Sequence, residues 1–137
     1  MTSYISHTTV DCVDAYELSE WWKPVLGYVD VPGDPNLPGH EECMILDPET
    51  GHRLLFIEVP EAKTVKNRLH LDLAAREGTR DEELARLLAH GATVVADLRG
   101  KDGPGTGWVT LADPAGNEFC IVRSEAERAA EDALGQS

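Results

Sequence analysis

The stretch "DPAGNEFCIV", Asp113 to Val122, decides how this chain is read. Its opening Asp-Pro-x-Gly is turn chemistry: proline presets φ, aspartate accepts local backbone bonds, and glycine supplies a left-handed conformation. A short strand follows, in which Phe119 and Ile121 face one way and Glu118, Cys120 and Val122 the other. A carboxylate and a thiol on one face of an apolar strand need a partner, water or a ligand. Asp47-Pro48 before Gly51 answers the first turn and leads into "HRLLFIEV". There Leu54 and Phe56 read as core, while Arg53, Leu55 and Ile57 share the opposite face.

Upstream of each turn the chain repeats one order of elements. His7 precedes Gly27 by 20 residues, and His70 precedes Gly91 by 21. In the first copy, "YISHTTVDC" reads as a strand with Ile5, His7, Thr9 and Asp11 aligned. A helix follows in "DAYELSEWWKPVLG", where Asp14 and Glu17 resemble a capping box, Leu18, Trp22, Val25 and Leu26 form the buried stripe, and Gly27 is the stop. Strands are expected at "YVDV", "ECMIL" and "RLLFIEV". In the second copy, "RLHLDLA" alternates, placing Leu69, Leu71 and Leu73 under a helix and Arg68, His70 and Asp72 opposite. The helix is "TRDEELARLLAHG", capped by Thr79 and Glu82, with Leu84, Leu87 and Leu88 as its stripe. Then come "TVVADL", the loop "GKDGPGTG" and "WVTLA", whose first residue, Trp108, is placed to cover a ligand.

Such a repeat is sought before any fold is assigned. The fold expected is α+β: two βαβββ modules, about 4–60 and about 66–123, forming a curved mixed sheet around a groove, with the helices on the outer face. The whole of 1–137 reads as one domain, and "SEAERAAEDALGQS" ends it with an acidic helix at about 124–134. The loop "GKDGPGTG" feeds a strand and lacks a Gly-Lys-Ser/Thr ending, so it is expected to be a flexible connection or lid and no phosphate loop.

Composition narrows the function. Twelve basic against 25 acidic residues give a net charge of −13, the wrong sign for nucleic acid or an anionic membrane surface. No apolar run is long enough to span a bilayer, and "MTSYISHTTVDC" has no secretion-signal pattern. The three cysteines (Cys12, Cys43, Cys120) fit neither a disulfide framework nor a zinc knuckle. A reducing compartment, the cytoplasm, is the expected location. Acidity reads first as solubility and second as attraction for a cationic ligand.

The double βαβββ layout, with "KNRLHLDL" opening the second module and "DPAGNEFCIV" closing it, resembles the vicinal-oxygen-chelate superfamily. That group includes glyoxalase I, extradiol dioxygenases, fosfomycin-resistance enzymes and bleomycin-resistance proteins. "VPEAKTVKNRLHLDL" and "GWVTLADPAGNEFCIV" resemble its glyoxalase-like domain branch. The resemblance spans roughly residues 4 to 123 and implies a site for one divalent ion, with ligands from the first, fourth, fifth and eighth strands or three of these. His7 matches the first-strand ligand and His70 the fifth. Four residues after the turn glycine, where the family carries Glu, stands Cys120; the same offset from Gly51 gives Leu55, which cannot ligate. A thiol favours zinc over harder ions.

Two functions of different class follow. One is a metal-assisted lyase, isomerase or transferase, in which His7, His70 and Cys120 hold an ion and Glu118 completes the shell or serves as general base. Arg68, Asp72, Leu55, Ile57 and Trp108 would line its groove. The other is a metal-free small-molecule or drug-binding protein resembling bleomycin-resistance proteins, with no ion at all. Both are expected to be homodimers, with Trp21 and Trp22 as helix core or dimer contacts, and both take a small-molecule partner.

Overall fold

The computed structural model describes residues 2–135, with the side chains of 133–135 outside the description. The chain forms two compact units, one ending at Thr64 and the other beginning at Val65. Each carries one four-stranded mixed sheet.

In the first unit, β1 (Thr8–Cys12) leads into α1 (Ala15–Leu26), then β2 (Val29–Asp30), β3 (Glu42–Leu46) and β4 (Arg53–Glu58). The sheet order is β1-β4-β3-β2: the last three strands form an antiparallel meander, and β1 lies parallel to β4. Asp14 caps α1 by accepting from the Glu17 backbone N–H at 3.0 Å, and Gly27, at φ 71°, ends it. Leu18 and Trp22 are buried as expected, joined by Ala15 and Ser19, against Ile45, Leu54 and Phe56 of the sheet. Trp22 is therefore core. Trp21, partly exposed, meets it edge to face with centroids 5.1 Å apart.

The second unit repeats this with β5 (Leu71–Ala74), α2 (Arg80–Ala89), β6 (Thr93–Asp97), β7 (Val109–Ala112) and β8 (Glu118–Val122), followed by α3 (Glu125–Gly135). Its order is β5-β8-β7-β6, with β5 parallel to β8. Thr79 and Glu82 complete a reciprocal capping box. Val109, Leu111, Phe119 and Ile121 are fully buried, and Leu84 and Leu87 are buried on α2. Ser124 and Glu127 exchange bonds of the same kind at the start of α3.

Three expectations need correction. Leu69 does not sit under a helix: it is 89% exposed, because β5 begins only at Leu71. Leu88 lies 40% exposed on the outer edge of the α2 stripe. The loop "GKDGPGTG" is no loose connection. Arg80, buried at the first turn of α2, donates through Nη1 to the carbonyls of Thr106 (2.7 Å) and Gly107 (2.9 Å). Its Nε donates to Asp81 Oδ1, which also accepts from Arg99. Arg99 in turn holds the Asp97 carboxyl at a pKa of about 2. Within the loop, the Thr106 N–H and hydroxyl both donate to the carbonyl of Gly103, and the Gly100 N–H donates to the carbonyl of Thr106. Burying a guanidinium without such acceptors would be costly, so the loop carbonyls and Arg80 hold each other in place.

Candidate metal centre

The two Asp-Pro turns set the strand registers. Asp113 Oδ1 accepts from the backbone N–H groups of Ala115 and Asn117 at 2.9 and 3.0 Å. Asp47 accepts from the Glu49 N–H and the Thr50 hydroxyl. Gly116 at φ 88° and Gly51 at φ 80° take the left-handed positions. In the second unit the result pairs Asp72 with Cys120 and Cys120 with Thr110, a row across three strands. The matching row of the first unit is Thr9, Leu55 and Met44, which offers no carboxylate, thiol or imidazole. Leu55 and Ile57 are half-buried there.

His70 lies two residues before Asp72, just ahead of β5. Its Nε2 is 3.3 Å from Asp72 Oδ1. Together His70, Asp72 and Cys120 present one nitrogen, one oxygen and one sulfur within 4.8 Å of one another. Cys120 is buried, while the His70 and Asp72 side chains are 38% and 58% exposed, leaving the cluster open on one side. Donors to a shared ion at about 2.0–2.3 Å must stand within roughly 4 Å of each other, so small side-chain rotations suffice. The donor set fits a borderline-soft ion such as zinc, which accepts all three ligand types. Asp72, expected to line a groove, is thus a candidate ligand. The i, i+2 spacing of His70 and Asp72 was the available signal, but only the β5–β8 register brings them to Cys120.

The remaining candidates fall as follows. His7 belongs to the first unit, directly before β1, with Nδ1 3.0 Å from Ser6 Oγ. Glu118 Oε2 accepts a hydrogen bond from the Asn67 backbone N–H at 3.1 Å. Arg68 is exposed ahead of β5, and Trp108 is 40% exposed, one residue before β7. Asn67 and Thr110 are site neighbours that the sequence alone did not single out.

Burial pushes the Cys120 thiol up; the Thr110 hydroxyl, 3.4 Å away, opposes this, and the Asp72 carboxylate adds to it. Burial pushes Cys43 up as well. Unfolded thiols titrate near 9.0, so a folded value above that keeps the thiol protonated while the unfolded chain ionises. The stabilising contribution is complete below pH 9.0 and is lost as pH rises through the folded values. The urea midpoint is therefore expected to fall between pH 8 and pH 10, and to fall less in a Cys43→Ala, Cys120→Ala double variant. Equal slopes in the two proteins would assign the loss to other groups.

Comparison with known proteins agrees with this architecture. A family model described as "Glyoxalase-like domain" matches residues 7–122. Among solved structures, a possible glyoxalase from Bacillus cereus superposes with a TM-score of 0.62 at 15% identity, covering 88% of this chain and 99% of that one. A variant of the fosfomycin resistance protein FosX from Listeria monocytogenes, complexed with Mn(II) and 1S,2S-dihydroxypropylphosphonic acid, gives 0.64 at 17% identity, covering 96% and 98%. FosX from Mesorhizobium loti gives 0.63 at 15%, covering 95% and 99%. At these identities the likeness shows the fold. Among curated proteins there is no match. The chain belongs to the glyoxalase-like domain family, within the vicinal-oxygen-chelate superfamily. No helix among the described residues is long and apolar enough to cross a membrane.

Proposed function

We propose that this protein is a metal-dependent enzyme of the glyoxalase-like type, performing lyase, isomerase or transferase chemistry on an oxygen-bearing small molecule. The observation that carries this is the His70, Asp72 and Cys120 cluster, three donors converging at the edge of one sheet. Mn(II) in the Listeria FosX complex supports a metal on this fold, while the thiol here directs the choice to zinc. When bound, the ion supplies Lewis-acid polarisation of a substrate oxygen. The chain's own residues do the rest. Thr110, 3.4 Å from the Cys120 sulfur, supports that donor from the neighbouring strand, and His70 Nε2 and Asp72 Oδ1 stand 3.3 Å apart as two donors to one ion. Trp108 offers an aromatic surface on the face of Thr110 and Cys120.

Zinc titration of the tag-free protein tests the reading. One equivalent is expected to bind with release of protons, and affinity is expected to rise with pH, because the raised Cys120 thiol must lose its proton to ligate. The same titration of His7→Ala tests whether the first unit contributes a ligand. Failure of zinc to bind the parent would sink the enzyme reading. The metal-free binder would then stand, supported by the −13 charge and its attraction for cationic ligands.

A further inference from the structure

The segment leading into β5 has no regular structure, yet it is fastened to β8. The Asn67 backbone N–H donates to Glu118 Oε2 at 3.1 Å, and the Glu118 backbone N–H donates to Asn67 Oδ1 at 3.2 Å. Asn67 Nδ2 also lies 3.5 Å from Asn117 Oδ1. Glu118 and Asn67 clasp each other much as a capping box does, using one backbone donor and one side-chain acceptor from each side.

On either side of Asn67 stand Lys66 and Arg68, both exposed, and neither in an ion pair among the described residues. Lys23, Arg80, Arg86, Arg99 and Arg123 sit against carboxylates, whereas Lys66 and Arg68, like Arg53, Lys101 and Arg128, are exposed and in no ion pair among the described residues; of these five, only Lys66 and Arg68 flank the clasped segment that leads to His70. Two neighbouring cations in no ion pair among the described residues, carried by a segment fastened next to the donor cluster, form an arrangement for an incoming anion. An anion is repelled at long range by a chain of charge −13, so local cations must supply its binding. An ammonium and a guanidinium together offer both a point charge and a planar fork for oxygen pairs.

We infer that Lys66 and Arg68, positioned by the Asn67–Glu118 clasp, form an anion-recognising rim beside His70, Asp72 and Cys120, and that the substrate carries a negatively charged oxygen group. This deepens the proposed function and rests on its placement of the site in the second unit. Glu118 thereby acts as a positioning residue, its carboxylate engaged by Asn67.

The test is a ¹⁵N-amide NMR titration of the metal-free full chain with inorganic phosphate, with acetate as the carboxylate probe and glycerol as the neutral control. Phosphate or acetate, but not glycerol, is expected to shift amides of residues 66–72 and 118–120. Whichever of the two binds more tightly names the anion class. The Lys66→Gln, Arg68→Gln double variant changes only exposed side chains and is expected to weaken that anion at least about tenfold. Asn67→Ala, with its fold checked by circular dichroism, is expected to weaken it as well, because the clasp that positions the two cations is lost. Shifts mapping elsewhere, no shifts with either anion, or equal affinity in the double variant would overturn the rim. Zinc titration of the same proteins reads the metal reading separately, so one can fail while the other stands.

Discussion

Replacing Cys120 by alanine is expected to weaken zinc binding by at least about a hundredfold, more than the loss typical of removing a residue that only supports a ligand. The sulfur is the one buried donor of the three and the one that makes the set prefer zinc. His70 and Asp72 alone leave an exposed imidazole–carboxylate pair of a kind common on protein surfaces. Cys120→Glu goes the other way in kind. It restores the carboxylate that the family resemblance implies at this position and exchanges a soft donor for a hard one, so affinity for manganese should rise well above the parent's. His70→Ala in the Cys120→Glu background should remove that gain. Calorimetry with zinc and manganese on the four proteins decides it. Unchanged zinc affinity in Cys120→Ala, with the fold intact by circular dichroism, would mean that the thiol is only core packing.

Gly107→Ala is expected to destabilise the second unit by about 3 kcal/mol or more, from left-handed strain together with a backbone collision. Gly107 has φ +84°, and a Cβ there would strike the carbonyl oxygen of Leu98, with the carbonyl carbon at 2.9 Å. Neither atom can rotate away as a side chain would. Both belong to the hairpin in which the Leu98 N–H donates to the Trp108 carbonyl, and the Gly107 carbonyl is itself held by Arg80. Gly105→Ala is the control: φ is +78° but nothing lies within 4 Å of its Cβ, so only the conformational strain of about 1–2 kcal/mol remains. Urea unfolding of the three proteins measures both terms. Equal losses at the two positions would show that the hairpin yields to the added methyl.

Local signals in the sequence determined the elements and their repetition. The two Asp-Pro turns, the caps at Asp14 and Thr79 and the alternation in "RLLFIEV" and "EFCIV" each act through neighbours in the chain. Strands β3 and β8 accordingly fall where alternation puts them, at Glu42–Leu46 and Glu118–Val122. Alternation also sorted Phe119 and Ile121 from Glu118 and Cys120. It could not say which residue of another strand stands beside Cys120, because strand pairing and register are non-local. The tertiary structure decided that Asp72 and Thr110 flank Cys120, turning Asp72 from a lining residue into a candidate ligand. It likewise decided the fate of two charges. Arg80 looks like a surface residue at the start of an acidic helix turn, but two carbonyls 26 and 27 residues away make its burial favourable. Glu118 reads as an unpartnered acid on its own strand, but its Oε2 accepts from the backbone N–H of Asn67, 51 residues earlier. Leu69 shows the converse: its alternation continues that of β5, but the strand pairing stops at Leu71 and leaves it in solvent. Periodicity assigns a side chain to a face, and only the partners brought there from elsewhere in the chain determine what that face does.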